Sequence, residues 1–366
     1  MTYFNFNNVK IKAVAASVPD DVEYTTDYNE LFGEEHVKKF IMSTGVKRRF
    51  TTHRLGITAS DLCYAAAEKI LKELNYDRRR IDALIFASSS RDYLQPVTAG
   101  ILQDRLGLTD ECMCYDVPLG CSAYVYGLYL ASMHINSGCR SVLLLAGSTG
   151  EQLPENYVPS EIPMLFGNGG SATLLEYDES ANSTYGLLRS IGRDFKMLVS
   201  PYSGQRHPFW PLVAELGYAK ACELRNKFYM EGMDVMRFSL KEVVTMIKDF
   251  KEYFQCDYDN YEILACHQAN KLIISNLARK IKFPISKIPL SIVNYGNTGC
   301  ASIPLAICEH YSNQNISSTN GKILTCGFGI GLSLGIVGID VNPQTCFPVF
   351  RVSERYDDGI NYSNFF

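Results

Sequence analysis

A cysteine between two small residues is the first candidate for chemistry in this sequence. Cys121 lies in the stretch DVPLGCSAYVYG, after a short apolar run and directly before a predicted helix. Free backbone N–H groups and the helix dipole favour an anion at this place, and they can lower the pKa of a thiol from its free value of about 8.5. Gly120 and Ser122 favour a tight, exposed bend. We therefore interpret Cys121 as a nucleophile, with a packed core cysteine as the alternative.

Two residues far along the chain could act with this thiol. His267 follows the apolar run ILAC at the end of a predicted strand, and Asn297 lies in the glycine-rich stretch NYGNTGCAS. Taken alone, a lone histidine is usually a satisfied polar residue, and Asn beside Gly is common in turns. A Cys-His-Asn set suits acyl-thioester chemistry, because the sulfur takes the acyl group while the two donors hold a developing enolate or oxyanion.

A third glycine-rich stretch, TCGFGIG at residues 325–331, follows a predicted strand and runs into another strand. A dinucleotide-binding loop would instead open a helix, so this class of site is not predicted here. Closely approaching backbone with free N–H groups suits an oxyanion hole. A hairpin with bulges is the alternative interpretation.

The other cysteines and histidines do not indicate a metal site. Cys112, Cys114, His53 and His207 have no spacing typical of zinc ligands, and the twelve cysteines include no paired C-x-x-C. We expect most of these thiols to be free and buried in a reducing cytoplasm. The sequence thus predicts a cytoplasmic protein with no metal and no cofactor.

The composition limits the class of protein further. The chain has 366 residues, of which 46% are hydrophobic, and a formal net charge of −4. This is enough for one large or two medium domains, and the absence of a long basic run argues against nucleic-acid binding. The first ten residues, MTYFNFNNVK, are unlike a signal peptide, and apolar runs such as SVLLLAG are too short to span a membrane.

Strands and helices alternate along the chain, which predicts an α/β fold with buried sheets. In the first half, strands are expected at 81–90, 113–119 and 140–149, and helices at 96–108 and 122–137. In the second half, the expected elements are a strand at 261–270, a helix at 271–283, a strand, bend and helix at 287–311, and two strands at 321–340.

The two halves look alike, which indicates an internal duplication. LIFASSS aligns with ILACHQA, and VLLLAG with KILTCG, both at an offset of about 180 residues. We therefore divide the chain into residues 1–180 with the cysteine, 181–345 with the histidine and asparagine, and a C-terminal extension at 346–366 that is expected to run past the core. The stretch 199–212 is predicted to be a long ordered loop or lid. Ligands of α/β sheets bind at the carboxyl ends of strands, where the three candidate residues would converge.

Three of these stretches, DVPLGCSAYVYGLYLA, CHQANKLI and NYGNTGCASIPLA, resemble the active-site motifs of β-ketoacyl-acyl carrier protein synthase III, of the thiolase fold. The resemblance extends to FIMSTGVKRR, FGNGGSATLLE, YMEGMDVMRFS and CGFGIG, and it runs in order from about residue 9 to 340. It implies a thiolase-like five-layer αβαβα fold of two duplicated halves, and a homodimer.

The resemblance also implies a reaction. Cys121 would take an acyl group from an acyl-CoA or acyl-carrier-protein thioester. His267 and Asn297 would bind a malonyl thioester and promote its decarboxylation, which gives a β-ketoacyl product of the kind made in fatty-acid biosynthesis. The oxyanion hole would use backbone N–H groups at Cys121 and near Cys326 and Gly327.

The remaining implied residues would bind substrate or the acyl carrier protein. Basic residues on the helix after the histidine, and an aromatic residue in CGFGIG, are expected in this role: Lys271, Arg279, Lys280 and Phe328.

This chain departs from the family pattern at three positions. Lys39 stands where many relatives carry a tryptophan, and Leu272 where an arginine is common, although Lys271 adjoins it. Gln95, before Pro96, stands where a bulky aromatic often caps the acyl pocket across the dimer. We expect Gln95 at the substrate site, and these departures argue against a strictly short acyl pocket and against acetyl-CoA as the donor.

Two other functions stay open at this point. A related acyltransferase would pass the acyl group from Cys121 to an alcohol or amine without decarboxylation. A non-catalytic partner subunit is the other possibility, although the intact cysteine argues against it. A hydroxymethylglutaryl-CoA synthase is disfavoured, because Arg91 and Asp92 stand where that enzyme needs a glutamate.

Overall fold

The structure is a computed structural model that describes residues 2–150, 161–225, 227–312 and 320–361. Eleven of its strands form one continuous sheet with a half from each part of the chain, and the two halves, here called the first and second sheet, join where Val341 of the second pairs parallel with Ile11 of the first. In chain order the strands are β1 (Thr2–Phe6), β2 (Val9–Pro19), β3 (Asp21–Tyr24), β4 (Arg48–Thr51), β5 (Ile81–Ala87), β6 (Met113–Val117), β7 (Ser141–Ser148), β8 (Gly169–Tyr177), β9 (Thr184–Ser190), β10 (Leu198–Val199), β11 (Tyr229–Met230), β12 (Ile263–Cys266), β13 (Gly321–Gly329), β14 (Ser333–Val341) and β15 (Phe350–Val352).

The helices lie between and outside the sheets. In chain order they are α1 (Asn29–Phe32), α2 (Glu34–Thr44), α3 (Ala59–Glu73), α4 (Thr98–Arg105), α5 (Ala123–Asn136), α6 (Glu161–Leu165), α7 (Phe209–Leu216), α8 (Tyr218–Arg225), α9 (Gly232–Phe238), α10 (Val244–Tyr253), α11 (Lys271–Ile281), α12 (Ile292–Tyr295) and α13 (Ser302–Ser312). A π-helical segment at Ser239–Val243 joins α9 to α10. Over the described ranges, no helix combines the length and the apolar character that crossing a membrane requires.

The two halves of the chain repeat one pattern of strand pairing, which confirms the predicted duplication. In the first half, β2 pairs antiparallel with β8, β8 antiparallel with β7, and β7 parallel with β5. In the second half, β9, β14, β13 and β12 pair in the same order with the same directions. The β6 strand continues the first sheet beside β5.

The helices and sheets form five layers. Helices α5 and α13 pack between the two sheets, where they share one hydrophobic core with both. Helices α3 and α4 cover the outer face of the first sheet, and α10 and α11 cover the outer face of the second. The αβαβα arrangement follows, as the family resemblance implies.

Strand β7 shows why the sheets are buried on both faces. Val142 and Leu144 point into the central core, whereas Leu143 and Leu145 point into the core beneath α3 and α4. Successive side chains of a strand point to opposite faces, so a strand covered on both sides needs a continuous apolar run. The run SVLLLAGS is of this kind, and all but its last residue are buried.

Two expectations about the elements differ from the structure. The predicted strand near 287–293 is wrong, because this segment forms a 3-10 turn and the short helix α12. Pro289 lies in its middle and lacks the backbone N–H that a sheet ladder needs. The predicted loop at 199–212 is shorter than expected, because α7 begins at Phe209, directly after Pro208.

The chain termini also differ from the expected division. Strand β1 pairs with β9, so the first described residues belong to the sheet of the second half. Strand β15 pairs parallel with the end of β2, and Val352 is only 9% exposed. Residues 346–352 therefore complete the first sheet instead of running past the core.

Candidate active site

The three candidate residues line one cavity, although they come from both halves of the chain. Cys121 lies just before α5, His267 follows β12, and Asn297 lies in the turn between α12 and α13. The cavity has a volume of about 110 Å³, and all three residues border it. The duplicated topology brings them together because it places the ends of corresponding elements face to face.

The rest of the cavity wall is mostly apolar. It is formed by aliphatic and aromatic side chains from the sheet edge, α9, α11 and the segment around β11: Leu165, Phe166, Leu198, Phe228, Met230, Val235, Phe238, Ile273 and Phe328. An apolar wall with a few converging polar groups is typical of a small-molecule site. Hydrogen bonds to a substrate are stronger in such surroundings than in water.

A glycine lets strand β13 approach the candidate nucleophile closely. A Cβ atom on Gly329 would lie 2.7 Å from the Cys121 Cβ and 3.1 Å from its sulfur. Just beyond Gly329, the chain turns, and the backbone N–H of Ile330 donates a hydrogen bond to the Cys121 sulfur together with the N–H of Cys121 itself. Two backbone donors at one sulfur can also serve the oxyanion of an acyl group bound there.

This geometry moves the predicted oxyanion hole by a few residues. Cys326 and Gly327 were expected to supply it, but both lie within the β13–β14 ladder, opposite Ile336 and Gly335. The carbonyl of Cys326 accepts a hydrogen bond from the backbone N–H of His267 at 2.8 Å. Strand β13 continues to Gly329, so the first N–H beyond the ladder at the sulfur belongs to Ile330.

Two serine hydroxyls link the turn that carries Cys121 to the turn between β13 and β14. Ser122 Oγ and Ser333 Oγ lie 2.5 Å apart, and the Ser333 hydroxyl also contacts the carbonyl of Ile330 at 2.8 Å. Ser122 is fully buried and Ser333 nearly so. The contact fixes the Cys121 and Ile330 backbones relative to each other across the two halves of the chain.

The pKa of the Cys121 thiol is raised, whereas the sequence predicts a lowered pKa. Its side chain opens onto the cavity, but protein surrounds the sulfur, and this burial raises the pKa of Cys121 to about 11. The hydrogen bonds from the Cys121 and Ile330 backbones oppose the rise only in part. Desolvation thus outweighs the local donors, and the thiol is protonated near neutral pH.

His267 lines the same cavity as a buried, uncharged imidazole. It is 3% exposed, and burial lowers the pKa of the imidazole to about 3, so the ring is neutral near pH 7. Its Nδ1 lies 2.8 Å from the hydroxyl oxygen of Ser302, and its ring meets the Phe328 ring edge-on with centroids 5.5 Å apart. With Nδ1 engaged, Nε2 is the ring nitrogen left for the cavity.

The neighbouring Gln268 holds the loop that carries the histidine. It is fully buried, and its Nε2 donates to the carbonyls of Cys266 and Pro289 at 2.9 and 3.1 Å. Its Oε1 accepts from the backbone N–H of Ile292 at 3.2 Å. The bonds to Pro289 and Ile292 tie the loop after β12 to the segment that leads into α12, so this loop has little freedom to move.

Asn297 is held by its backbone and by its own side-chain oxygen. Its N–H donates to the carbonyl of Leu165 at 2.9 Å, and its carbonyl accepts from the N–H of Gly167 at 3.1 Å. Its Oδ1 accepts from the backbone N–H of Gly299 at 3.0 Å. The Nδ2 donors are therefore the part of the amide available to a ligand.

The structure separates the predicted binding residues into two groups. Phe328 lines the cavity, whereas Gln95 is exposed in the loop before α4 and is not among the described residues of the cavity wall. The basic residues lie on the exposed face of α11: Lys271, Arg279 and Lys280. Their predicted role in binding a carrier stays a prediction.

Sequence reasoning missed two groups of this site. Ser302 and Ile330 touch the imidazole and the sulfur, respectively. Ser302 could have been predicted, because it is a hydroxyl residue at the start of the helix expected after NYGNTG. Ile330 offers no chemical signal, because only its backbone contributes.

Comparison with known proteins places the chain in a family. Residues 115–190 match the family described as 3-Oxoacyl-[acyl-carrier-protein (ACP)] synthase III, and residues 255–341 match its C-terminal part. A beta-ketoacyl-[acyl-carrier-protein] synthase III of Streptococcus equi subsp. equi is 30% identical over 329 residues, covering 89% of this chain and 97% of that protein. The protein of the same name from Clostridium novyi is 28% identical, with 90% and 97% covered.

A solved structure agrees with these relatives. The crystal structure of a 3-oxoacyl-(acyl-carrier protein) synthase from Burkholderia xenovorans aligns with a TM-score of 0.84 at 28% identity, covering 96% of this chain and 99% of that chain. Sequence and fold therefore agree along nearly the whole chain. The chain belongs to the 3-oxoacyl-[acyl-carrier-protein] synthase III family and is a condensing enzyme of the thiolase fold.

Proposed function

We propose that this enzyme transfers an acyl group to Cys121 and then condenses it with a malonyl-type thioester that loses CO₂. The product is a β-ketoacyl thioester. The observation that supports this proposal is the single cavity onto which the thiol of Cys121, the imidazole of His267 and the amide of Asn297 all open.

In the first half-reaction the sulfur of Cys121 attacks the carbonyl carbon of an acyl thioester. Because the resting thiol is protonated, neutral His267 accepts the thiol proton at Nε2 as the sulfur–carbon bond forms. The backbone N–H groups of Cys121 and Ile330 stabilise the oxyanion of the tetrahedral intermediate. The proton then passes from His267 to the departing thiolate.

In the second half-reaction a malonyl thioester enters the same cavity. Asn297 Nδ2 and His267 Nε2–H donate to its thioester carbonyl, and the bond to the carboxylate breaks to release CO₂. The electron pair is left as an enolate, which the two donors stabilise. Loss of one such donor typically costs about 2.7–4 kcal/mol of transition-state stabilisation.

Condensation follows when the enolate carbon attacks the acyl carbonyl on Cys121. A carbon–carbon bond forms, the bond to sulfur breaks, and the Cys121 thiolate takes up a proton from solvent, which replaces the one that left with the first leaving group. The apolar wall, including Phe166, Phe228 and Phe328, limits water near the acyl-enzyme. Exclusion of water disfavours hydrolysis of the thioester before condensation.

The donors and partners we propose are acyl-CoA or acyl-carrier-protein thioesters and the acyl carrier protein, in fatty-acid or related biosynthesis. The names of the relatives, which include the acyl carrier protein, support this proposal. Helix α11 also supports it, because Asn270 and Ile273 at its start line the cavity. Exposed basic residues on the same helix would meet an acidic carrier: Lys271, Arg279 and Lys280.

We further propose a homodimer in which Gln95 faces the substrate site of the other protomer. The loop that carries Gln95 is exposed in the single chain, with Leu94 at 74% and Val97 at 46% exposure. Exposed apolar side chains on one loop are typical of a surface that another protein covers.

The experiment that tests this function measures CO₂ and product together. Purified enzyme is incubated with malonyl-carrier protein and a panel of acyl-CoAs and acyl-carrier proteins, and Cys121→Ser is the matched control. We expect one CO₂ for each β-ketoacyl product with the wild-type enzyme, and no β-ketoacyl product with the variant, which lacks the sulfur that takes the acyl group. Acyl transfer to an added alcohol or amine without release of CO₂ would contradict the proposal and support the acyltransferase alternative.

A further inference from the structure

A buried hydroxyl contacts the side of His267 that faces away from the cavity. Ser302 begins α13 and is fully buried, and its Oγ lies 2.8 Å from Nδ1 of the imidazole. The backbone carbonyl of Gly299, three residues earlier on the same turn, also accepts a hydrogen bond from the ring. The proposed chemistry uses neither group directly.

The two partners differ in what they can do. A carbonyl only accepts hydrogen bonds, whereas a hydroxyl can either accept from Nδ1–H or donate to an unprotonated Nδ1. A neutral imidazole carries one proton, and its position is set by the partner of the other nitrogen. The Ser302 hydroxyl can therefore form a hydrogen bond with either tautomer of His267. The Gly299 carbonyl can do so only with the tautomer that carries its proton on the nitrogen facing this carbonyl.

The two half-reactions call for different tautomers. To accept the thiol proton, His267 needs a lone pair on Nε2, so its own proton must be on Nδ1. To donate to the malonyl thioester carbonyl, it needs the proton on Nε2 and a lone pair on Nδ1. A water molecule can give a proton to one nitrogen and take one from the other between the half-reactions, so the number of protons does not change.

We propose that Ser302 is a positioning residue that supports the Nε2–H tautomer of His267 during decarboxylation. This inference rests on the proposed function, because it assigns His267 a donor role in the second half-reaction. Ser302 touches no substrate atom; it acts through the imidazole.

The matched variants are Ser302→Ala, Ser302→Thr and the control Ser132→Ala. Ser132 is a fully buried helix serine whose hydroxyl donates to the Leu128 carbonyl within α5. Acylation is followed by intact mass, and decarboxylation by CO₂ release from the pre-acylated enzyme. In Ser302→Ala we expect decarboxylation to fall about tenfold, as expected for one lost hydrogen bond, and acylation to change by less than about twofold.

The controls separate a tautomer effect from a packing effect. Ser302→Thr keeps the hydroxyl and should restore most of the decarboxylation rate, and Ser132→Ala should leave both rates as in the wild type. Equal loss of both rates in Ser302→Ala would show a merely structural role and overturn the inference. Unchanged decarboxylation in this variant would overturn it as well.

A spectroscopic measurement tests the tautomer without turnover. In enzyme labelled with ¹⁵N-histidine, the ring nitrogen shifts of His267 report which nitrogen carries the proton. We expect Ser302→Ala to reduce the Nε2–H form, and an unchanged ratio would contradict the inference. If the wild-type enzyme released no CO₂, the proposed function would fail, whereas the nitrogen shifts would still decide whether Ser302 sets the tautomer.

Discussion

Asn297 Oδ1 accepts a hydrogen bond from the backbone N–H of Gly299 at 3.0 Å, and this contact determines which end of the amide faces a substrate. With the oxygen engaged by the backbone, the Nδ2 hydrogens remain for the cavity that Asn297 borders. The side chain is thus a neutral donor, which suits a carbonyl that becomes an enolate oxygen.

Asn297→Asp should separate the two half-reactions. An ionised carboxylate has no hydrogen to donate and repels an enolate, so CO₂ release should fall by about 10²–10³-fold. Acylation of Cys121 should change by only a few-fold. Asn342→Asp is the control, because the Asn342 side-chain oxygen only accepts from the backbone N–H of Gln344, at 3.0 Å, outside the cavity wall. Equal loss of acylation and CO₂ release would contradict the donor role.

The raised pKa of Cys121 predicts an unusual alkylation profile. Only the thiolate reacts with iodoacetamide, and with a pKa of about 11 the thiolate fraction rises with pH throughout the range from 7 to 10. The rate at Cys121, followed by peptide mass spectrometry, should increase about tenfold per pH unit over that range. The rate for a free cysteine peptide instead bends near its pKa of about 8.5 and levels off about one pH unit higher. The same bend at Cys121 would show that the thiol is not desolvated as the structure indicates.

Gly329→Ala tests the close approach of β13 to the nucleophile. The new Cβ would meet the Cys121 Cβ at 2.7 Å, so the sulfur or the hairpin turn must shift, at a cost of about 1–3 kcal/mol. Acylation, measured by intact mass, should fall at least tenfold. Gly192→Ala is the matched control, because a Cβ there meets nothing within 4 Å. Wild-type acylation in Gly329→Ala would contradict the described geometry.

Tyr356→Ala tests whether the C-terminal segment stabilises the first half. The Tyr356 ring lies 4.2 Å from the guanidinium of Arg105, which pairs with Asp61 at 2.9 Å and stacks on Tyr64 from 4.6 Å. Loss of this cation–π contact should lower the free energy of unfolding by about 1–2 kcal/mol in denaturant titrations. Ile360→Ala, at a position 55% exposed, should have no measurable effect. Equal effects of the two substitutions would argue against a stabilising segment.

Much of the fold could be predicted because single elements carry their own signals. The run SVLLLAGS predicts a strand buried on both faces, and β7 is such a strand. The apolar spacing of KLIISNLARKI predicts a helix with one buried face, and α11 buries Ile273, Ile274 and Leu277. The repeat between the halves could be predicted from the alignment of LIFASSS with ILACHQA and of VLLLAG with KILTCG, because each of these stretches carries the apolar signal of a strand.

The details of the site depend on contacts that no local pattern encodes. The pKa of Cys121 is set by the protein packed around its sulfur, so a local argument from the helix N-terminus predicts the wrong direction. The donor at Ile330 depends on where β13 leaves its ladder, which a glycine-rich stretch does not specify. The prediction of a strand near Pro289 is wrong, because an apolar run alone does not reveal whether a neighbouring strand is available for pairing.

The most direct test of the account follows one acyl group through the enzyme. The enzyme is labelled with radioactive acyl-CoA chosen from a panel of chain lengths, mapped by peptide mass spectrometry, and then mixed with malonyl-carrier protein. We predict label on the peptide containing Cys121, and its transfer to a β-ketoacyl-carrier protein with one CO₂ released per acyl group. Label on another cysteine, or label that stays on Cys121 while CO₂ is released, would contradict the account.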